Sequence, residues 1–343
     1  MKRLLNTLYV MTQGARLKKE GETVCIRIGR EPKLRVPIIT ISSIVCFGNI
    51  FISPPLMGYC TENGVTISFL SLYGRFVARI QGPVAGNVLL RKEQYRISDD
   101  PERSAEIARA CVLAKIANCR TVIMKAARDH SGSINKMDSD KVAKKLKRSI
   151  DELSHENSLE IIRGIEGESA KIYFSFFDKC IVAQKDDFFF RERNRRPPMD
   201  RMNALLSFVY TILYHDIRSA LETCGLDPAV GFLHRDRPGR MSLALDLMEE
   251  FRPFFADRLV LSLVNLKKIR GKDFSFSKSG SVMMNEKCKK TVVTSYQTRK
   301  QDSVTHPFLG DLMHIGLLFQ SQAILLARYI RGDIDGYPAY IWR

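Results

Sequence analysis

Short runs of β-branched and aromatic residues, separated by turn residues, make up the N-terminal part of the chain to about residue 85. Runs of this kind are typical of β-strands, and together they indicate a small sandwich or a folded sheet. SPPLMGYCTENG predicts one short helix among them, with Ser53 as N-cap, Pro54 as first helical residue and Gly64 past the end. The predicted strands are TLYVMT, TVCIRIG, ITISSIVCFG, GVTISFL and RFVARIQG.

After GPVAGN the hydrophobic period changes to about 3.6 residues, which indicates α-helices. In the segment that follows, Ile107, Ala110, Cys111, Ala114 and Ile116 fall near one face of a long helix. Apolar spacing and end signals predict helices over residues 103–129, 140–157, 158–178, 201–224, 242–266 and 309–332.

These two patterns divide the chain into a β-rich domain, residues 1–90, and an α-helical domain, residues 91–343. The predicted class is therefore α+β, with a small sheet or sandwich followed by a larger all-α domain. Residues 271–301 are polar, and we expect them to form a mobile or DNA-facing insert.

Charge changes this picture by indicating the kind of partner. The 343 residues include 54 lysines and arginines against 37 acidic residues, a net charge of +17. So basic a chain favours an anionic partner, either nucleic acid or a membrane surface. Its eight cysteines form no CxxC pair, which argues against a zinc cluster or a disulfide framework and favours reduced thiols in a cytoplasm.

No secretory signal or membrane span is expected. The N-terminus is basic but lacks a sustained apolar core and a small-residue cleavage site. Residues 36–60 carry no charge and are long enough to cross a bilayer, yet prolines, glycine and serines interrupt them. ITISSIVCF within that run is β-like, so strands are the better interpretation.

Three carboxylates, Asp246, Glu249 and Glu250, follow the lone His234 of a Gly/Pro/Arg-rich loop. If Ser242 caps a helix here, spacings of three and four residues place the acids on one face. They repel one another unless water, arginine or a cation neutralises them, and a hard divalent ion favours oxygen ligands. The alternative is a solvated helix face, because runs of charge usually face solvent.

Two other segments carry acidic or histidine side chains that are suited to chemistry. Glu166 stands between Gly164 and Gly167, whose small size lets a backbone or ligand approach, although first-turn acids also suit a helix dipole. The His215-Asp216 pair superficially resembles the metal site of helical phosphohydrolases. That site needs further histidine and aspartate ligands, and no companion motif is present.

Arginines gather beside both the prolines at residues 197–198 and the His234 loop. Arginine forks match phosphate oxygens, so these side chains are candidates for gripping a nucleic-acid backbone. The alternative is a solvated basic loop. The candidates are Arg193, Arg195, Arg196, Arg237 and Arg240.

Four segments, taken in order and separation, resemble one family: the CRISPR-associated endonuclease/integrase, the catalytic subunit of the spacer-acquisition complex. The segments are GIEGESAKIYFSFF, RRPPMDRMNALLSFVYTIL, LETCGLDPAVGFLHRDRPGRMSLALDLMEEFRP and the ending YPAYIWR. They cover the α-helical half, and the β-rich beginning is similar to that family's N-terminal domain. The sequence of these segments is most similar to the type I-C branch.

The resemblance implies a metal-dependent site made of Glu166, His234 and Glu249, with Asp246 one turn earlier as a further catalytic acid. It implies Mg²⁺ or Mn²⁺ as cofactor and leaves open whether Glu250 also reaches the ion. The implied reaction inserts prespacer DNA into the repeat array by attack of a 3′-hydroxyl on a phosphodiester.

The same resemblance implies the partners of the chain. They are double-stranded and branched DNA, a second copy that forms a homodimer through the N-terminal domain, and a small ferredoxin-like partner that completes a hetero-hexamer. Two alternatives remain open: a non-catalytic basic scaffold that binds DNA, and the helical phosphohydrolase that the His215-Asp216 pair suggests.

Overall fold

The structure is a computed structural model that describes residues 7–29, 31–41, 43–72, 76–80, 82, 88–194 and 197–342. Its N-terminal part contains two four-stranded sheets. Along the first sheet the order is β1 (Thr7–Val10), β5 (Ser43–Phe47), β7 (Thr66–Leu70) and β8 (Phe76–Ile80). Along the second it is β4 (Glu31–Pro37), β3 (Thr23–Ile28), β2 (Arg16–Glu20) and β6 (Phe51–Ile52).

The two faces of β5 belong to different cores. Ile44 and Cys46 are buried in the core between the two sheets, whereas Val45 and Phe47 are buried against the helices. Successive side chains of a strand point to opposite faces, so one uncharged strand joins both cores. Helix α1 (Pro54–Glu62) packs Leu56 and Cys60 into the core between the sheets.

Helices dominate the rest of the chain. The long α3 begins at an N-cap, Asp100, whose carboxylate accepts the backbone N–H groups of Glu102 and Arg103, and Pro101 stands at its first position. The helices are α2 (Val88–Asp99), α3 (Pro101–Asp129), α4 (Lys136–Leu153), α5 (Leu159–Phe177), α6 (Arg201–Thr223), α7 (Ser242–Met248), α8 (Arg258–Asn265), α9 (Glu286–Lys300) and α10 (Ile315–Ile330).

The α+β class and the order of its two parts are confirmed. The division at residue 90 stays a prediction. Helix α1 also starts as expected at Pro54 after Ser53, and Gly64 follows its end with a φ of 69°, a left-handed conformation that favours glycine. No described helix is both long and apolar enough to cross a membrane.

The expected continuous helix over residues 242–266 is wrong. Helix α7 ends at Met248, and a π-helical turn over Arg252–Asp257 separates it from α8. Pro253 has no N–H to donate and its ring crowds the preceding turn, so the regular ladder cannot pass through it. Ser242 is not the cap either: Met241 holds that position, and the Ser242 hydroxyl donates to the Arg235 carbonyl at 3.2 Å.

Two further segments contain β-hairpins that the sequence pattern did not predict. Residues 271–301 contain the hairpin β9 (Phe274–Phe276) and β10 (Val282–Met284) followed by α9, and Tyr296 of α9 is buried, while the contact of this insert with DNA stays a prediction. The helix expected from residue 309 begins at Ile315, because β12 (Leu312–His314) pairs with β11 (Ser303–Thr305). The second part is therefore mostly, not wholly, helical.

Candidate active site

Three elements bring the candidate residues together. Glu166 lies in the middle of α5, and Glu249 is the first residue after α7. His234 belongs to the loop between α6 and α7, and Arg163 of α5 holds this loop by donating to the Leu233 carbonyl at 2.6 Å. The contacts place the acidic segment and the Glu166 helix around one site.

Asp246 holds the His234 loop from within the protein. Its buried carboxylate accepts the backbone N–H groups of Phe232 at 2.6 Å, Leu233 at 2.9 Å and His234 at 3.0 Å. The same carboxylate lies 2.6 Å from His234 Nδ1. A proton on Nδ1 shared with this carboxylate leaves the lone pair of Nε2 available as a ligand.

Gly231 allows this close approach. A Cβ atom at this position would lie 2.7 Å from Asp246 Oδ2 and 2.7 Å from the backbone carbon of Ser242. Any larger residue must therefore displace the loop or the carboxylate. Beside Glu166 the situation is different, since Cβ atoms on Gly164 or Gly167 would meet nothing within 4 Å.

Glu166 and Glu249 share a cation, Lys115 of α3. The Lys115 ammonium forms ion pairs with Glu166 Oε1 and, at 2.7 Å, with Glu249 Oε2. Arg252 contacts the other Glu249 oxygen at 2.7 Å. Burial alone would raise the pKa of Glu249, but Arg252 and Lys115 lower it to about 2, so this carboxylate is ionised.

The donor set fits a divalent cation in its chemistry. His234 Nε2 lies 4.0 Å from Glu249 Oε1, and Lys115 links Glu249 to Glu166, so two carboxylates and one imidazole are joined by a short chain of contacts. Among the described residues, no three side chains of His, Cys, Asp or Glu are already grouped closely enough to hold a metal ion. The ammonium of Lys115 lies between the two glutamates instead.

Glu250 points away from this site. Its carboxylate is buried and accepts hydrogen bonds from Tyr337 at 2.5 Å, the Tyr340 backbone at 2.7 Å and Gln322 at 2.9 Å. Burial raises the pKa of Glu250 to about 7 against these hydrogen bonds. The acid next to Glu249 thus holds the C-terminal segment and does not share a face with Glu249.

A pocket of about 260 Å³ opens beside Glu166 and His234. Arg237 and Arg240 line it, together with the other basic residues of the region, Arg163 and Arg235. Positive side chains around a carboxylate-histidine site suit a polyanionic ligand with a phosphate at the centre.

The remaining arginine candidates are placed differently. Arg193 hydrogen-bonds within the protein, to the Asn203 side chain at 2.6 Å and Ser207 at 3.1 Å, and stacks over the Tyr210 ring. This arginine anchors its own segment to α6. Arg195 and Arg196 lie outside the described residues.

The His215-Asp216 pair does not form a site of its own. His215 is buried, and desolvation together with Arg79 and Arg218 lowers its pKa to about 3. Asp216 pairs with Lys300 at 2.8 Å and accepts a hydrogen bond from Tyr296. Although adjacent on α6, His215 and Asp216 thus have different surroundings.

Lys115 is the site residue that sequence reasoning missed. It lies four residues after Cys111 and is therefore on the apolar stripe of α3, where a lysine must find a counter-charge when buried. A charged residue within such a stripe is the signal that points to it. Its partners, however, lie on other helices, and no sequence pattern identifies them as partners of Lys115.

Comparison with known proteins gives the class of this protein, a CRISPR-associated endonuclease. The CRISPR-associated endonuclease Cas1 1 of Chlorobaculum tepidum is 54% identical over 346 residues, which span all of both chains. The profile of the CRISPR associated protein Cas1 family matches residues 8–298. The chain belongs to the Cas1 family. The family and the endonuclease class predicted from sequence are thereby confirmed, while the type I-C branch stays a prediction.

Solved structures share the fold. A Cas1 protein from Thermotoga maritima has a TM-score of 0.82 at 24% identity, covering 97% of this chain and 99% of that one. A casposase bound to integration product has a TM-score of 0.84 at 23% identity, covering 99% and 95%. The Cas6-RT-Cas1–Cas2 complex has a TM-score of 0.81 at 19% identity, covering 100% of this chain and 36% of that one. At these identities the likeness concerns the fold.

Proposed function

We propose that the chain is a divalent-metal-dependent DNA endonuclease and integrase of CRISPR adaptation, with Glu166, His234 and Glu249 as its metal-binding set. The observation that carries this proposal is the link between the two carboxylates through the Lys115 ammonium, with His234 Nε2 lying 4.0 Å from the other oxygen of Glu249. The reaction is an in-line phosphoryl transfer, with a DNA 3′-hydroxyl or water as nucleophile.

Each site residue has a distinct role. Glu166 and Glu249 would supply oxygen ligands, and His234 would supply Nε2. Asp246 acts as a positioning residue that fixes the ring and its tautomer, as the partner of a ligand histidine does. Arg252 keeps Glu249 ionised and in place.

Mg²⁺ or Mn²⁺ would supply Lewis-acid stabilisation of the charge on the phosphate and the leaving oxygen. A site with one imidazole nitrogen and two carboxylates suits Mn²⁺ better than a site with oxygen ligands alone. Since the nucleophile comes with the DNA or from water, the protein needs no serine or cysteine nucleophile.

Double-stranded and branched DNA is the proposed substrate. Arg237 and Arg240 border the pocket beside Glu166 and His234, where they would contact the phosphates that flank the scissile bond. Because neutralising phosphates releases counterions, the DNA affinity should depend strongly on salt concentration.

The proposed assembly contains a homodimer formed through the β-rich part and a small CRISPR-associated partner that completes a hetero-hexamer, in a cytoplasmic setting. The Cas1–Cas2 complex that shares this fold supports a partner of that kind.

The test compares purified Glu166→Gln and His234→Ala with wild type in nicking and joining of branched DNA with Mn²⁺. We expect both variants to fold, bind DNA and lose the metal-dependent reactions. Exposed residues nearby in the chain provide the controls, Glu168→Gln on α5 and His155→Ala before it, and both should react like wild type.

The outcomes also separate the two alternatives. Wild type that binds branched DNA but never nicks it with Mn²⁺ would favour a non-catalytic scaffold. A phosphohydrolase that uses His215 predicts hydrolysis of nucleotides, abolished by His215→Ala and unaffected by His234→Ala. Full activity in folded Glu166→Gln would contradict the proposed metal site.

A further inference from the structure

Lys115 is placed where the proposed site needs positive charge. Its side chain is only 10% exposed, and its ammonium contacts one oxygen of Glu166 and, at 2.7 Å, one oxygen of Glu249. The lysine is on α3, whereas the two glutamates come from α5 and from the end of α7. A single ammonium thus ties three separate helical elements together at the centre of the site.

Both oxygens of Glu249 are already paired with protein cations, Oε2 with Lys115 and Oε1 with Arg252. An additional cation that approaches this carboxylate is repelled by both positive charges, and displacing one of them relieves this repulsion. The Arg252 guanidinium also lies over the Tyr210 ring, 5.2 Å from its centroid, which restricts its movement. The Lys115 ammonium is a compact charge on a flexible four-carbon stem and is therefore the contact that can give way.

We propose that Lys115 is a positioning residue whose ammonium holds Glu166 and Glu249 together in the metal-free enzyme and competes with the divalent cation for them. This inference rests on the proposed metal site. The ammonium prevents the two carboxylates from repelling each other before metal enters. The same contact weakens metal binding, since a unit positive charge a few ångströms away opposes the entry of another.

The test measures Mn²⁺ binding to the full-length protein without DNA, by calorimetry and by the Mn²⁺-induced rise in melting temperature. Lys115→Met keeps most of the apolar stem and removes the charge. We expect this variant to melt at a lower temperature without metal, to bind Mn²⁺ about tenfold more tightly or better, and to show a larger Mn²⁺-induced rise than wild type.

Lys115→Arg should change Mn²⁺ affinity in the opposite direction. Its charge is retained and its planar fork can pair with both carboxylates, so Mn²⁺ binding should be weaker than in wild type. The two variants should change Mn²⁺ affinity in opposite directions, so the test remains decisive if Lys115→Met fails to fold. In that case, Lys115→Arg that binds Mn²⁺ as tightly as wild type overturns the proposal.

Lys300→Met is the matched control, since Lys300 is also buried but pairs with Asp216 at 2.8 Å. It should lower the melting temperature and leave Mn²⁺ affinity unchanged. If Lys115→Met behaves in the same way, Lys115 has only a structural role and the proposal is wrong. If wild type shows no Mn²⁺ binding that depends on Glu166, the proposed metal site itself fails, which is a distinguishable result.

Discussion

His234 Nδ1 lies 2.6 Å from Asp246 Oδ1, and the same carboxylate accepts three consecutive backbone N–H groups of the His234 loop. One buried acid thus determines the position of the loop, the orientation of the imidazole and the nitrogen that faces Glu249. The histidine presents Nε2 to the site because Asp246 occupies its other side.

Asp246→Asn should lower metal-dependent DNA cleavage about 10–100-fold, the range typical of losing the partner of a ligand histidine. The NH₂ group of the introduced side chain is a donor and would face backbone N–H groups, which are donors too. The free energy of unfolding should therefore fall by about 1–3 kcal/mol. Cleavage rates and urea unfolding measure the two effects. Asp236→Asn, exposed in the same loop, is the control, and equal rates in both variants would argue against the positioning role.

Arg237→Ala should weaken DNA binding and reduce its salt dependence. Removing one phosphate contact lowers the slope of log affinity against log salt by about 1. Fluorescence anisotropy at several salt concentrations gives this slope. Arg148→Ala on α4, whose guanidinium pairs with Glu152 at 2.9 Å, should leave the slope unchanged. An unchanged slope in Arg237→Ala would exclude this residue from the DNA interface.

Tyr337→Phe should destabilise the protein through Glu250. The variant removes the 2.5 Å hydrogen bond from Tyr337 to a buried carboxylate, a loss of about 1–3 kcal/mol in the free energy of unfolding. Tyr95→Phe removes a comparable bond to Asp227, 2.8 Å long, at an exposed tyrosine and should cost less than about 1 kcal/mol. Similar losses in urea unfolding would show that the buried contact has no special weight.

Asp257 should make stability depend on pH. Burial raises the pKa of this carboxyl from 3.8 to about 6 against hydrogen bonds from Tyr210 and Tyr173. The folded state therefore binds the proton more tightly than the unfolded state. Its stabilising contribution is fully present below pH 3.8 and is lost as pH rises through about 6.

Asp257→Asn lacks this titration, so its stability relative to wild type should improve by roughly 2–3 kcal/mol between about pH 4 and pH 7. Urea unfolding at several pH values measures the difference. Asp151→Asn, an exposed residue of α4, serves as control and should show no such trend. A constant difference between Asp257→Asn and wild type across this range would contradict the assignment.

Periodicity predicted most of the fold because it reflects which faces are buried. The strands β1, β3, β5, β7 and β8 and the helices α3 to α6 match alternating or helical patterns in the sequence. The pattern failed where local and tertiary effects compete. Around Pro253 a run of apolar residues reads as one helix, although the missing N–H breaks it.

Glu249 and Glu250 mark the limit of sequence reasoning at the site. Adjacent residues on a helix point about 100° apart, so spacing with Asp246 allowed either acid to face the proposed metal site. The structure directs Glu249 toward Lys115 and Arg252 and Glu250 toward the C-terminal Tyr337. That choice depends on chain segments far away in sequence.

The sequence by itself determined the family and the α+β order of the chain and predicted Glu166, His234 and Glu249 as the metal-binding set, since motifs and hydrophobic periods are local properties. Only the tertiary structure decided that Asp246 orients His234, that Glu250 fastens the C-terminal segment and that Lys115 lies between the two glutamates. A buried charge is stabilised by whichever partner the packing of helices brings within reach, and no local pattern records that partner.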